Sequence, residues 1–372
     1  MKGNDLKPRI GFFGRRNVGK SSLINLLTGQ QVAIVSPTAG TTTDPVRKSM
    51  EIGGVGAVVL IDTAGLDDVG DLGRQRVEKS LSVLAEVDLA VLVYTPGGWG
   101  EVEEQVVRRC EEGGTPLLRV LSKDGEIDRD GLLKQISRTL RGVAGERRGL
   151  LGDVVKGGDR VMLVTPIDSS APEGRMILPQ VQVLRELMDL HAVATFCQPE
   201  ELEQHPALLG GYSLVITDSQ VFERVAAVVP PDIRLTSFSI VLARGKGLFD
   251  EYLSGTRSIA HLQDGDRILL LESCTHNVTC DDIGRVKLPA ALRKATGKDL
   301  QFDMVAGGDS LETKQMRDYA LAIQCGGCVI TPRQLRARLT PALQAGIPVS
   351  NYGLALAWCG GIYDRATRVF RS

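Results

Sequence analysis

The chain has 372 residues, enough for two or three domains that each bury a core. Hydrophobic residues at 43% and charged residues at 24% are ordinary globular values, and a formal net charge of −1 with 4% aromatics speaks against a nucleic-acid-binding surface. No apolar run approaches a membrane span, residues 1–5 lack the apolar core of a signal peptide, and seven scattered cysteines favour reduced thiols over a disulfide framework, so a cytoplasmic protein with no membrane partner is expected.

From residue 7 to 150, short apolar runs alternate with helical patterns, as in a parallel α/β layer. Strands are expected at 9–13, 57–61, 89–94 and 116–121, and the glycine-rich, charged passage 141–149 reads as a linker. The second region, 151–245, opens with a strand at 160–165. Ile177, Val181, Leu184 and Met188 then recur at helical spacing. A further strand is expected at 212–217, with Asp218 or Ser219 placed to cap a helix starting near Val221. In the third region, 246–372, strands at 267–272, 301–305, 320–323 and 348–350 interleave with helices at 288–296, 332–345 and 352–370. The expected fold class is therefore α/β, in three domains.

Gly14-Arg15-Arg16-Asn17-Val18-Gly19-Lys20-Ser21 fits the P-loop pattern G-x-x-x-x-G-K-S, directly after a strand and opening a helix. The glycines let backbone amides turn inward around phosphate oxygens, and the helix N-terminus, through Ser22, adds its positive end. Lys20 then reaches the β- and γ-phosphates, and the Ser21 hydroxyl ligates Mg²⁺. Asp62-Thr63-Ala64-Gly65 ends a strand, so Asp62 can hold Mg²⁺ through water and the Gly65 amide can meet the γ-phosphate. In the loop 40–44, a threonine hydroxyl, Thr41 or Thr42, can close over the metal. Lys20, Thr42 and Asp62 are the candidate catalytic residues.

Together these pieces resemble GTPases of the Era and MnmE type, and the first domain is expected to be a doubly wound P-loop sheet. In that group the asparagine at the place of Asn17 often helps bind K⁺. Leu66 stands where Ras-like proteins carry the water-orienting glutamine, so hydrolysis should be slow. The base-reading motif Asn-Lys-x-Asp is replaced by Ser122-Lys123-Asp124-Gly125, which leaves Lys123 and Asp124 as candidate base contacts. Two readings stay open. A shortened domain still binds GTP and GDP with Asp124 adapting, or nucleotide binding is weak and unselective.

Cys274-Thr275-His276 and Cys325-Gly326-Gly327-Cys328 fall just past the carboxyl ends of expected strands, where open α/β sheets place ligand sites. Thiolates favour zinc and iron–sulfur clusters, and three of them are one fewer than a closed site takes. Cys110, Cys197 and Cys359 read as small buried apolar residues. Cys280, in a polar loop, is ambiguous, and His276 stands as a neighbour or a ligand of the site.

The cysteine set resembles that of the HydF family, GTPase scaffolds of [FeFe]-hydrogenase maturation. Segments 163–168, 174–181, 216–220, 236–240, 282–289 and 351–353 extend the likeness. The resemblance implies a GTPase-like domain at 7–150, a dimerisation domain at 151–245 and a cluster domain at 246–372. It implies a [4Fe–4S] cluster on Cys274, Cys325 and Cys328 with an exchangeable fourth site, and a homodimer. It also implies that a 2Fe-subcluster precursor is received from two radical-SAM maturases and delivered to apo-[FeFe]-hydrogenase. The family carries a histidine just before its Cys-x-x-Cys, and this chain has Gln324 there, a poor iron ligand. Glu272, His276, water or incoming cargo are the candidates for the fourth position. The alternative is a zinc- or cluster-containing GTPase of ribosome or RNA assembly. A radical enzyme is disfavoured because C-x₃-C-x₂-C is absent.

Overall fold

The computed structural model describes residues 7–29, 46–53, 55–68, 70–122, 127–145, 149–167, 176–273, 283–306, 316–328 and 330–371. The first sheet begins with β1 (Arg9–Phe13), which runs into the glycine loop and α1 (Lys20–Thr28). There follow β2 (Val46–Ile52), β3 (Gly56–Asp62), α2 (Gly70–Ser82), β4 (Leu89–Tyr94), α3 (Glu101–Glu112), β5 (Leu117–Leu121) and α4 (Arg129–Gly145). The sheet order is β2-β3-β1-β4-β5, with β2 antiparallel to β3 and the other neighbours parallel. A parallel strand covered on both faces needs apolar residues at every position, which is why 10–13 and 89–93 are continuous apolar runs apart from Gly11. Ile10, Phe12, Leu60 and Val91 pack against Leu23, Leu27, Ile136 and Leu140 on one face. Phe13, Ile61 and Leu92 pack with Leu81 and Val106 on the other. The unexpected strand here is β2, a largely exposed edge strand whose Arg47, Lys48 and Glu51 hide its period. Helix α4 also runs to Gly145, through the first half of the expected linker.

The second sheet is built from β6 (Arg160–Val164), α5 (Leu178–Asp189), β7 (Val193–Cys197), α6 (Pro199–Gln204), β8 (Leu214–Thr217), α7 (Phe222–Val228), β9 (Arg234–Ser237) and α8 (Phe238–Gly245). The third is built from α9 (Phe249–Arg257), β10 (Arg267–Glu272), α10 (Leu288–Thr296), β11 (Gln301–Ala306), β12 (Tyr319–Gln324), α11 (Pro332–Gln344), β13 (Val349–Asn351), α12 (Tyr352–Cys359) and α13 (Tyr363–Arg368). Both sheets are parallel and share one topology, β7-β6-β8-β9 and β11-β10-β12-β13. In each, the first strand is flanked by the second on one side and the third on the other. The crossover direction therefore reverses beside the first strand, at β6/β8 and at β10/β12, which opens a crevice beyond the carboxyl ends of that pair.

Two expectations need correction, and two strands were not foreseen. Neither Asp218 nor Ser219 caps α7, whose N-cap position is Val221 without a side-chain hydrogen bond. Asp218 instead accepts from the Gln220 N–H at 3.2 Å, and the Ser219 hydroxyl meets those of Ser237 and Ser239 at 3.3 and 2.5 Å. The helix expected over 352–370 is broken into α12 and α13 by Gly360-Gly361, the latter at φ +70°, a left-handed conformation that glycine adopts without a Cβ penalty. Strands β7 and β9 were not expected: each is short, and their Arg234, Thr195, Thr236 and Ser237 dilute the apolar signal. No helix among the described residues is long and apolar enough to cross a membrane.

Candidate functional site

The phosphate loop is shaped by three left-handed residues, Gly14 at φ +143°, Asn17 at +55° and Gly19 at +101°. A Cβ on Gly14 would stand 2.2 Å from the Val93 carbonyl oxygen, and one on Gly19 would stand 2.7 Å from the Ser122 hydroxyl, so neither position tolerates a side chain. Val18 is buried beneath the loop, while Ser21 and Ser22 are exposed at the start of α1. Lys20 is only 7% exposed, and its Nζ donates to the carbonyls of Gly14 and Arg15 at 3.1 and 2.8 Å. Burial lowers its pKa, and the carboxylates of Asp62, Asp67 and Asp68 oppose that shift. A lysine held inside its own loop by two carbonyls is placed to exchange them for phosphate oxygens.

Asp62, at the end of β3, accepts from the Ser21 hydroxyl at 2.5 Å through Oδ2, while its Oδ1 is buried with no hydrogen-bond partner among the described residues. Burial raises its pKa, opposed by the Ser21 hydrogen bond and the Lys20 charge. A hydroxyl and a carboxylate in contact, with one oxygen left over, form a hard oxygen donor set that fits Mg²⁺. Gly65 is pressed against the loop, since a Cβ there would meet Arg16 Cγ at 2.3 Å. The Leu66 N–H donates to the Gly14 carbonyl at 3.2 Å, and its side chain is buried in the apolar cluster of Phe13 and Ile61.

Other contacts at the loop have no local sequence signal. Arg15 forms a two-armed ion pair with Glu103 at 3.0 and 2.9 Å, and Glu103, 1% exposed, also accepts from the Gly100 N–H at 3.0 Å at the start of α3. Asp67 accepts from the Arg16 N–H at 2.7 Å. The spacing of eighty-odd residues between Arg15 and Glu103 carries no pattern a reader of the sequence could use. Thr41, Thr42, Lys123 and Asp124 lie outside the described residues.

The cysteine site falls at the β10/β12 crevice. Leu271 is in register with Gln324, and the Cys325 N–H donates to the Leu271 carbonyl at 2.8 Å. Ser273, the residue before Cys274, donates its N–H to Cys325 Sγ at 3.2 Å, and Gln324 Nε2 donates to the same sulfur at 3.2 Å. A Cβ on Gly326 would meet Cys328 Sγ at 3.4 Å, in van der Waals contact, and Gly327 takes φ +60°. Two N–H donors on one sulfur and a glycine turn under the other suit thiolate ligands of a cluster. Cys274, His276 and Cys280 lie outside the described residues, and among the described ones no three His, Cys, Asp or Glu side chains are grouped to hold a metal ion. Glu272, 3% exposed, accepts from Arg285 at 3.0 Å, so its carboxylate already has a cationic partner. Of the cysteines read as apolar, Cys110 is buried, whereas Cys197 and Cys359 are half-buried. Burial pushes the Cys110 and Cys197 thiols up to about 11 and that of Cys359 to about 12, so none is a ready thiolate.

Comparison with known proteins assigns each region. Residues 9–123 match the family model of the 50S ribosome-binding GTPase, 150–247 that of the hydrogen maturase F dimerization domain, and 250–369 that of the hydrogen maturase F tetramerization domain. The tRNA modification GTPase MnmE of Nitrosomonas eutropha is 37% identical over 139 residues, which is 37% of this chain and 30% of that protein. MnmE of Nitrosomonas europaea is 42% identical over 117 residues, 31% of this chain and 26% of that protein. The chain thus spans less than a third of the length of these relatives. A structure of Era from Aquifex aeolicus aligns over 80% of this chain and 92% of its own, at 15% identity and a TM-score of 0.26, a score too low to add to the fold argument.

Proposed function

Because the chain belongs to the hydrogen maturase F (HydF) family, with one family domain over 150–247 and another over 250–369, we propose that it is a GTP-hydrolysing scaffold that carries the 2Fe-subcluster precursor to apo-[FeFe]-hydrogenase. In this reading, residues 7–150 hydrolyse GTP, 151–245 form the homodimer, and 246–372 hold a [4Fe–4S] cluster. The precursor arrives from the two radical-SAM maturases. The observation that carries the reading is the joining of both oligomerisation domains of the family to a GTPase domain in one chain.

Lys20 gives up the carbonyls of Gly14 and Arg15 and turns its ammonium to the β- and γ-phosphates, where it stabilises charge as water attacks in line. Ser21 and Asp62, with Thr41 or Thr42, are the side chains that would hold Mg²⁺, which supplies charge neutralisation at the phosphates. Asn17 takes part in binding K⁺, and Lys123 and Asp124 contact the base. Leu66 is turned into the core and cannot orient water, which supports slow turnover. Cys274, Cys325 and Cys328 would hold the cluster, which supplies one iron position open to exchange. Glu272 reaches that position only by leaving Arg285, and His276 is its competitor.

Anaerobic reconstitution tests the scaffold reading. Iron with sulfide in the protein, followed by activation of apo-[FeFe]-hydrogenase, is the expected result, and Lys20→Ala should abolish GTP turnover. Zinc alone, without sulfide or activation, would instead favour a zinc-stabilised GTPase of ribosome assembly, a reading to which the match of 9–123 to the 50S ribosome-binding GTPase model lends support.

A further inference from the structure

Gln324 ends β12 and is fully buried. Its Nε2 stands 2.9 Å from Ser273 Oγ, 3.2 Å from Cys325 Sγ and 3.3 Å from the Cys325 carbonyl oxygen. The carbonyl oxygen can only accept, so the amide must present its NH₂ group to this cluster; a flipped amide would set two oxygens against each other. The amide oxygen then points elsewhere, and Oε1 is buried with no partner among the described residues. An unpartnered buried acceptor destabilises the fold, and an apolar side chain of the same shape avoids that cost. An amide kept at this position for folding alone is therefore a poor choice. Its NH₂ group, by contrast, reaches both strand ends that carry the cysteines, Ser273 beside Cys274 on one and Cys325 on the other.

We infer that Gln324 is a hydrogen-bond donor to the Cys325 sulfur, a positioning residue that ties the two cysteine-bearing strand ends together and raises the reduction potential of the iron–sulfur centre they hold. The inference rests on the cluster reading above. Donors aimed at a ligating sulfur stabilise negative charge on it, and the reduced centre carries one more negative charge than the oxidised one. The Ser273 N–H, on the same sulfur at 3.2 Å, acts in the same direction but belongs to the backbone, where only proline would remove it. Gln324 is thus the adjustable half of the pair.

The test uses the full chain, reconstituted anaerobically, with Gln324→Met (equal length, no donor) and Gln324→Glu (equal shape, a carboxylate in place of the NH₂ group). Iron and sulfide are counted, and the midpoint is read by redox titration followed by electron paramagnetic resonance. Gln324→Met should keep its iron and shift to a lower midpoint, by on the order of tenfold in the reduction equilibrium, or about 59 mV for a one-electron couple. Gln324→Glu should shift further the same way. If one variant fails to fold by circular dichroism, the other carries the test. Unchanged midpoints at matched iron content overturn the inference alone, and so does loss of iron from folded variants, which would make Gln324 a ligand. Wild-type protein that takes up neither iron nor sulfide overturns the cluster reading and the inference with it.

Discussion

Replacing Asp62 by alanine should leave the nucleotide-free protein nearly as stable as before while removing its response to magnesium nucleotide. The Asp62 carboxylate gains one hydrogen bond, from Ser21 at 2.5 Å, and such a bond to a charged group contributes about 1.5–3 kcal/mol. Its other oxygen is buried with no partner among the described residues, at a cost of about 1–3 kcal/mol. The two contributions offset, so the ligand-free change should stay within about 1 kcal/mol, or about 2–4 °C for a domain of this size. Magnesium nucleotide at a hundredfold excess over its Kd stabilises the wild-type protein by about 2.7 kcal/mol, and this increment should disappear in the variant. Thermal unfolding with nucleotide, with and without a chelator, reads both quantities. A ligand-free loss beyond about 3 kcal/mol, or an undiminished magnesium-dependent shift, would refute the assignment of the leftover oxygen to the metal. The sign with pH follows from burial, which holds this carboxyl above its ordinary value. The stability that protonated Asp62 contributes is complete below the ordinary carboxylate value and is lost as pH rises through the elevated folded one. The alanine variant lacks that loss.

Glu103→Ala should free Arg15 and the Gly100 N–H together, lowering stability by about 2 kcal/mol and weakening nucleotide binding; calorimetry with unchanged affinity would separate the ion pair from the phosphate loop. Leu66→Gln should destabilise by about 1–3 kcal/mol without faster GTP turnover, because position 66 points into the core; a rate gain in a turnover assay would show that the side chain reaches the nucleotide. Gly284→Ala places a Cβ 2.5 Å from the Tyr352 hydroxyl oxygen and 2.9 Å from Glu272 Oε1, so about 1–3 kcal/mol should be lost on urea unfolding, and an unmoved midpoint would mean the packing there gives way easily.

The phosphate loop was legible because its determinants are local. Gly14 and Gly19 are needed for backbone reasons, and strand, loop and helix follow within one short stretch, so spacing alone specifies geometry. The strands β1, β4 and β10 were legible for a related reason, since a strand buried on both faces must be apolar throughout. Strands β2, β7 and β9 were not, because exposed or polar positions interrupt their pattern. The partner of Arg15 could not be read at all. Ion pairs across a sheet depend on which helix packs beside the loop, and α3 reaches Arg15 only through the fold of the whole domain.

The amino-acid sequence by itself determined the phosphate-loop pattern over 14–21, the place of Asp62 at a strand end and that of Cys325 and Cys328 just past another. Residue type and short spacing suffice for these. Only the tertiary structure decided what lies against Gln324 and Glu272. An amide is donor at one end and acceptor at the other, and its role depends on what lies against each end. For Gln324 the neighbours come from β10, which lies beside β12 because the crossover direction reverses there. For Glu272 the neighbour is Arg285, in the short helical segment Ile283–Lys287 that leads into α10. Local periodicity encodes neither adjacency. Both arise from burying the apolar faces of a parallel sheet, which is a property of the whole domain.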